Sequence, residues 1–280
     1  SRYDAPTREN VVDFLAFDPL NPSSILSCVQ RARENARSVR DALSSDTWQQ
    51  INRFSLFVSR STSIGPAGRE LRDFLAEVKL LSHLVSGTAD NTMSHGEAWD
   101  FLQVGRLLER ADNTSRLLDV KYFLLLPSPD DVGSHVDEMQ WSFVLRSASA
   151  LEMYRKRHGR LSPTSIIDFL LLDPEFPRAA LFCLIHAEHS LRALSGGLSG
   201  RFQNAAEQRL GRLRSELAYA QVHEIIAGGL HEFLDSFQAK LNDIGDAIDR
   251  TFFALQPVSA SENGATWKAA SDFLPRHQGQ

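Results

Sequence analysis

The sequence predicts an all-α protein: a helical bundle of about ten helices built from two diverged copies of one helical unit. Three observations support this fold class. Apolar residues recur at steps of three and four through most of the chain, no long stretch alternates with the period of two that a strand shows, and two segments repeat each other at an offset of 155 residues. Amphipathic helices joined by short loops bury their apolar faces against one another, so a bundle follows.

The composition excludes several classes of protein. The chain has 280 residues, of which 42% are hydrophobic and 23% charged, with a net charge of -5. This charge does not suit general binding to nucleic acid or to an anionic membrane. Two cysteines do not make a disulfide scaffold. No apolar run spans a bilayer and no signal peptide is visible, so we expect a cytoplasmic protein without nucleic-acid or membrane partners.

Residues that start and stop helices divide the first third of the chain. Asp18-Pro19 ends the first helix, because the residue before a proline is disfavoured in the helical region. Asn21-Pro22 predicts the start of the second helix, since Asn is a good N-cap and Pro is tolerated at the first helical position. Ser44 to Asp46 caps the third. The helices are expected over residues 9–17, 21–43, 46–58 and 68–90, with loops over 61–66 and 91–95.

A long central helix is predicted from Trp99 to Tyr122. Its apolar stripe contains Phe101, Val104, Leu108, Ala111, Ser115, Leu118 and Tyr122. Another face carries polar residues at the same spacing: Gln103, Arg106, Arg110 and Asn113. Glu109 lies within reach of Arg106 and Asn113, and Asp112 and Arg116 form an i, i+4 pair. Buried charges of this kind must be paired or bound to a ligand.

The remaining chain predicts further helices up to a polar tail. Glycines at 228 and 229 indicate a bend in the last helix, and residues 256–280 lack periodicity, so we expect a disordered tail there. The helices are expected over residues 136–158, 163–172, 177–194, 204–220 and 222–255, with loops over 127–133 and 195–201.

The internal repeat divides the chain into two units. Residues 11–37 and 166–192 align without a gap and are identical at ten of 27 positions, and a weaker match pairs the segments that begin at Phe74 and Phe233. Residues 1–95 are then the first helical repeat and residues 96–255 the second, packed together as one domain. The first copy's counterpart of the central helix would lie upstream of Ser1. We therefore expect the first repeat to be truncated at its start.

Cysteine and histidine patterns give little support to a metal or a cofactor. Cys28 and Cys183 occupy equivalent positions on apolar faces, which favours small buried hydrophobic residues over nucleophiles or ligands. His186 and His189 are spaced as a possible ligand pair, but no second cluster accompanies them. Nucleotide-binding motifs are absent as well. We expect neither a metal site nor a cofactor.

Two charged sets remain as candidates for binding. The first comprises Arg106, Glu109, Arg110, Asn113 and Arg116, and the second comprises Arg33, Glu34, Asn35 and Arg37. Arginines grouped with Asn suit the bidentate capture of a carboxylate or phosphate. Glu109 could orient Arg106, or act as a general base if desolvated. A structural network of ion pairs between helices is supported equally by these patterns.

Three motifs together resemble the alpha-E family, a bacterial all-helical domain named for its helices and a Glu-Arg motif. They are GRLLERADNTSRLLDV over residues 105–120, RARENARSVRDALSSDTW over residues 31–48 and ADNTM over residues 89–93. The Glu-Arg pair is Glu109-Arg110, and the resemblance covers about residues 8 to 255. The family carries another Glu-Arg helix at its N-terminus, which is missing from this sequence, in agreement with the expected truncation.

The resemblance implies a function in peptide chemistry. Family members are encoded beside, or fused to, a circularly permuted ATP-grasp ligase, often with a transglutaminase-like protein nearby. This implies a helical partner of the ligase in ATP-dependent peptide (amide-bond) synthesis or modification, with the two charged sets meeting around a peptide or amino-acid substrate. The ligase would hold ATP and Mg²⁺. Two alternatives remain open: an independent acyl- or aminoacyl-transfer enzyme with Glu109 as base, and a purely structural scaffold for protein–protein interaction.

Overall fold

The computed structural model of the protein describes residues 3–64, 68–124, 134–196 and 201–254, which form helices and no strand. The predicted all-α fold is confirmed. None of these helices combines the length and apolar character that crossing a bilayer requires. The helices are α1 Arg8–Val12, α2 Ile25–Ser38, α3 Ser45–Ile64, α4 Gly68–Thr92, α5 Glu97–Leu124, α6 His135–Ser147, α7 Leu151–His158, α8 Pro163–Leu171, α9 Ala180–Ser195, α10 Ala205–Ala218, α11 Val222–Gly228 and α12 Leu230–Ile248.

The central helix α5 runs along the largest core, which also draws on every helix from α6 to α12. Its most extensive contact is with α9, and α10 and α12 complete the packing around this pair. A smaller core lies among the N-terminal helices α2, α3 and α4 and the π-helical turn Asp13–Phe17. Ala89, Met93 and Trp99 form a third, separate cluster at the junction of α4 and α5.

The starts of α2 and α9 were predicted three residues too early. Ser24, not Asn21, caps α2: its Oγ accepts a hydrogen bond from the N–H of Ser27 at 3.1 Å. Asn21 instead forms an Asx turn, its Oδ1 accepting from the N–H of Ser23 at 3.0 Å, and its Nδ2 donates to the carbonyl of Phe14. The side chain thus holds an extended turn ahead of the helix, which sequence spacing alone did not reveal.

Two further predictions of helix boundaries need correction. The single helix expected over 136–158 is two helices, because Ser149 adopts a left-handed conformation with φ of 50° and Ala150 donates its N–H to the carbonyl of Leu145 at 2.7 Å. This 6→1 bond is the signature of a Schellman ending. The bend expected near residue 229 is a complete break between α11 and α12, with φ of 98° at Gly229. The predicted loop over 127–133 and the tail over 256–280 lie outside the described residues.

A buried ion pair joins α5 to α6. The side chain of Lys121 is 1% exposed, and its Nζ donates to Asp137 Oδ1 at 2.7 Å and to Gln140 Oε1 at 2.8 Å. The ammonium also lies 5.2 Å from the centre of the Trp141 ring. Burying an ammonium is tolerated only when such partners replace its hydration.

A second internal charge, Glu188, joins α9 to α10. Burial raises the pKa of its carboxyl, but hydrogen bonds from Arg214 and Arg192 more than offset this, and the pKa lies below its ordinary value. Glu188 Oε2 accepts from Arg214 Nε at 2.8 Å, and Oε1 accepts from Arg192 Nη2 at 2.7 Å. Internal charges in this part of the fold are therefore matched by opposite charges.

The Lys121–Asp137 pair predicts a large loss of stability when only the cation is removed. Lys121→Met removes the ammonium that pairs with the buried Asp137 carboxylate, and breaking a buried ion pair on one side typically costs about 3–5 kcal/mol. Urea unfolding followed by circular dichroism measures the change. As a control, Lys121→Met combined with Asp137→Leu should recover much of the loss, because both buried charges are then gone. A single variant that loses under about 1 kcal/mol would show that the pair is solvated.

A pH-dependent contact joins α12 to α5. His231 Nδ1 lies 2.6 Å from Asp119 Oδ1, and this hydrogen bond raises the pKa of the imidazole. Its contribution is fully present below the unfolded pKa of histidine, about 6.5, and is lost as pH rises through the higher folded pKa. The difference in unfolding free energy between the parent chain and His231→Gln should therefore shrink between pH 5.5 and pH 8.5. A constant difference would contradict the ion pair.

Candidate functional site

Two side chains of α5 bind the backbone where α9 begins. Arg110 Nη1 donates to the carbonyl of Pro177 at 3.1 Å, and Thr114 Oγ1 donates to the carbonyl of Arg178 at 2.8 Å. These carbonyls precede the first turn of α9. The contact places the polar face of α5, where the sequence predicted a site, against the loop that precedes α9. This loop contributes a basic side chain, that of Arg178.

Three arginines converge at this contact: Arg106 and Arg110 from α5, and Arg178. Burial lowers the pKa of the Arg106 guanidinium, and the neighbouring cation Arg110 lowers it further, partly offset by Asp90. Burial likewise lowers the pKa of Arg178, again with repulsion from Arg110. We call these three residues the arginine cluster. The half-buried cations of Arg106 and Arg178 are destabilised by desolvation and by the like charge of Arg110.

Among the described residues, some hydrogen-bond donors in and beside the arginine cluster have no acceptor. Arg106 Nη2 donates to Gln103 Oε1 at 2.6 Å, but Arg106 Nε and Gln103 Nε2 are buried without a hydrogen-bond partner among the described residues. Over those same residues, no hydrogen bond or ion pair engages the guanidinium of Arg178. Unlike Lys121 and Glu188, the cluster has no opposite charge bound to it in the described part of the chain.

Cys183 lies beside the arginine cluster and is fully buried. Burial raises the pKa of its thiol to about 12, although Arg110, Arg178 and Arg106 each act in the opposite direction. The Sγ atom points to the carbonyl of Pro177 at 3.6 Å. A thiol with this pKa is not a nucleophile at neutral pH, which agrees with the expected hydrophobic role. The same expectation is wrong for Cys28, which is exposed.

The other members of the first predicted set lie on the outer side of α5. Glu109 is exposed, and its Oε1 accepts from Asn113 Nδ2 at 3.2 Å, while Arg116 Nε binds Asp112 Oδ2 at 2.7 Å. The predicted Asp112–Arg116 pair is thus present. In the described ranges Glu109 forms no hydrogen bond or ion pair with Arg106.

The second predicted set lies on α2, and its Arg33 contacts α3. Arg33 Nε donates to Asn52 Oδ1 at 2.8 Å, and Glu34 accepts from Arg33 at 2.9 Å and lies 3.6 Å from Arg37. Asn35 is exposed. Within the described segments, no hydrogen bond or ion pair connects this set to the arginines of α5. The meeting of the two sets stays a prediction, and Arg178 is the residue found beside Arg106 and Arg110.

Sequence reasoning missed Arg178, although the repeat contained a signal. Its counterpart in the first copy is Ser23, within a stretch otherwise rich in identities. The signal was a basic residue that appears in only one of the two copies, next to a proline that both copies share.

A cavity of about 500 Å³ adjoins Pro177, with Lys156 and Arg157 in its wall. Among the described residues, no group of three His, Cys, Asp or Glu side chains could hold a metal.

The two cysteines predict a selective chemical modification. Iodoacetamide at pH 8 should label the native protein once, at Cys28, because Cys183 is both buried and far from its thiolate form. Mass spectrometry of tryptic peptides identifies the labelled site. The same reaction in 8 M urea serves as the control and should label both cysteines. Labelling of Cys183 in the native protein at a comparable rate would contradict the packing of α5 on α9.

Comparison with known proteins places the chain in a family. A family model described as a predicted alpha-helical domain with a conserved ER motif, Alpha-E, matches residues 1–253. An "Uncharacterized protein" of Mycobacterium bovis is 27% identical over 251 residues, which are 86% of this chain and 28% of the relative. One of Mycobacterium tuberculosis H37Rv is 26% identical over the same share of each chain. The chain therefore spans under a third of these relatives, and no solved structure matches it. It belongs to the Alpha-E family.

Proposed function

We propose that this Alpha-E domain binds the carboxylate of a peptide or amino-acid substrate at the arginine cluster and presents it to an ATP-grasp ligase that forms or modifies an amide bond. The observation that carries the binding step is the convergence of Arg106, Arg110 and Arg178, to which no carboxylate is hydrogen-bonded or ion-paired among the described residues. The ligase partnership rests on the family resemblance. ATP and Mg²⁺ would be held by that partner.

The electrostatics favour an anion at the cluster. Like charges within a partly buried site raise the free energy of the unliganded protein, because solvent screens them less than it screens surface charges. A bound carboxylate would compensate this repulsion and accept hydrogen bonds from more than one guanidinium. Arg110 is held by Pro177, so its side chain is positioned before a ligand arrives. Preorganisation of this kind lowers the entropic cost of binding.

The alternative of an independent transferase receives less support. A general base that works near neutral pH needs its pKa raised by burial or by a neighbouring negative charge. Glu109 is exposed and accepts a hydrogen bond from Asn113, so the burial that such a base needs is not found at this residue. Glu109 lies next to Arg110 in the sequence and suits a role in contacting the partner or the far end of a substrate.

The structural alternative is that the arginines serve only to hold helices together. Arg110 has such a role, because it bridges α5 and the start of α9. Arg178 has no bond of this kind: its backbone carbonyl binds Thr114, while no hydrogen bond or ion pair reaches its side chain in the described residues. A substitution of Arg178 therefore distinguishes a role in binding from a role in stability better than substitutions of the arginines that the sequence had indicated.

The decisive variant is Arg178→Ala in the full-length protein. Removing a charge-assisted hydrogen bond to a ligand costs about 1.5–3 kcal/mol, which corresponds to a roughly 10- to 150-fold loss of coupled turnover. Stability should stay equal or rise slightly, because a half-buried like charge is gone. The assay is ATP hydrolysis by the ATP-grasp protein encoded nearest to the gene, measured with and without the Alpha-E protein after co-purification.

Matched variants on α5 complete the test. Arg106→Ala and Arg110→Ala should also reduce coupled turnover by at least this factor, Arg110→Ala with some loss of stability. Arg116→Ala is the control, because this arginine lies on the outer side of α5 and binds only its neighbour Asp112 in the described structure. Unchanged turnover in Arg178→Ala would overturn the carboxylate site. ATP turnover that is independent of the Alpha-E protein would overturn the partnership and favour an enzyme acting alone.

A further inference from the structure

The cavity beside Pro177 has the size and lining of a ligand pocket. Its volume of about 500 Å³ lies in the range of cavities that hold small molecules. Three segments supply its wall: α7, α8 and the turn that leads into α9. The apolar residues of the wall are Met153, Phe169, Phe176 and Pro177, and the remaining lining residues are charged. A mainly apolar wall with a few charged groups is typical of a site that buries part of a ligand.

Two phenylalanine rings form the aromatic part of this wall. Phe169 and Phe176 are buried, and their rings stack with centroids 4.7 Å apart. Tyr154 packs edge-on against Phe169 with centroids 5.7 Å apart, which holds the Phe169 ring in place. Met153 is exposed, and its flexible thioether can adapt to a ligand. An aromatic group that enters the cavity can therefore stack on these rings or meet their edges.

The charged groups at the cavity balance one another. Arg157 binds two carboxylates: it forms an ion pair with the buried Asp173, and its Nη2 donates to Glu175 Oε2 at 2.6 Å. Lys156 is exposed, and among the described residues no hydrogen bond or ion pair reaches its ammonium. Two cations thus accompany two carboxylates. The cavity therefore suits an uncharged group, in contrast to the arginine cluster.

The turn before α9 differs from its counterpart in the first copy by an aromatic residue. Asp18 and Asp173 both hold their turn by accepting a hydrogen bond from the backbone N–H two residues later, at 3.0 Å and 2.8 Å. Asn21 completes the first turn, because its Nδ2 donates to a backbone carbonyl seven residues earlier at 2.8 Å. The aligned residue of the second copy is Phe176, which cannot donate this bond and adds its ring to the cavity wall. One turn is thus completed by a polar side chain, and the other presents an apolar surface.

Pro177 connects the cavity to the arginine cluster. It lines the cavity, and its carbonyl accepts a hydrogen bond from Arg110 Nη1 at 3.1 Å. The next residue in the chain is Arg178, the third member of the cluster. The carboxylate and the side chain of a C-terminal amino acid are attached to the same carbon atom. One ligand can therefore place its carboxylate at the cluster and its side chain in the cavity.

We propose that the cavity is the side-chain subsite of the carboxylate site, and that it selects a peptide or amino acid whose C-terminal side chain is large, uncharged and aromatic. This inference rests on the proposed function, because the arginine cluster holds the carboxylate. The carboxylate supplies the opposite charge that the cluster lacks among the described residues. The ring supplies apolar area, whose removal from water favours binding.

Binding of short peptides to the full chain tests this selection. The probe is N-acetyl-glycyl-para-fluorophenylalanine, whose line broadening is followed by fluorine NMR, and the N-acetyl-glycyl peptides of phenylalanine, alanine and glutamate compete with it. The phenylalanine peptide should bind about tenfold or more tightly than the alanine peptide, because its ring leaves water. Equal competition by these two peptides would overturn the proposal. Tighter binding of the glutamate peptide would also overturn it, because Lys156 would then select an acidic side chain.

A substitution in the cavity wall separates the cavity from the arginine cluster. Met153→Glu should fold, because Met153 is exposed, and an entering ring would desolvate the new carboxylate. The preference for the phenylalanine peptide should largely disappear, while the alanine peptide keeps its affinity. Arg155→Met is the matched control, because it lies on α7 outside the cavity wall, changes the net charge equally and should keep the preference. A preference that is unchanged in Met153→Glu would overturn the proposal.

The C-terminal amide of the phenylalanine peptide distinguishes a failure of this inference from a failure of the proposed function. The amide should bind about tenfold or more weakly than the acid, and Arg178→Ala should weaken the phenylalanine and alanine acids by the same factor. An amide that binds as tightly as the acid would overturn the carboxylate site, whereas a retained preference for phenylalanine would still support the aromatic subsite. A probe that is not broadened at all would overturn the subsite, and the coupled turnover of Arg178→Ala would then decide the carboxylate site.

Discussion

The close packing of α5 against α9 determines the arrangement of the C-terminal helices. Ala111 on one helix and Cys183 and Ala187 on the other are fully buried, and their small side chains let the two backbones approach. Arg110 and Thr114 fix the register, because each binds one particular carbonyl ahead of α9. α10 and α12 pack against this pair and against each other, so the remaining core depends on a seam that tolerates little added volume.

Charged side chains inside the same core differ in whether an opposite charge is bound to them. Lys121 is held by Asp137 and Gln140, and Glu188 is held by two arginines, so desolvation is compensated at both places. At the arginine cluster burial and mutual repulsion act in the same direction, and the described residues contribute no bound carboxylate. A purely structural network would be expected to resemble the first two cases. This contrast favours a ligand over a structural role for Arg106 and Arg178.

The sequence predicted the helices whose signals are local, and it missed the features that depend on how the helices pack against one another. The long α5 and its stripe followed from periodicity, since Val104, Ala111 and Leu118 are all buried. The break at Ser149 left no glycine or proline to detect, and the Asx turn of Asn21 depends on a carbonyl seven residues away. Arg178 joins Arg106 and Arg110 only after α9 has docked on α5. The exposure of Cys28 could not be predicted from the spacing of apolar residues either, because it depends on which helices pack against α2.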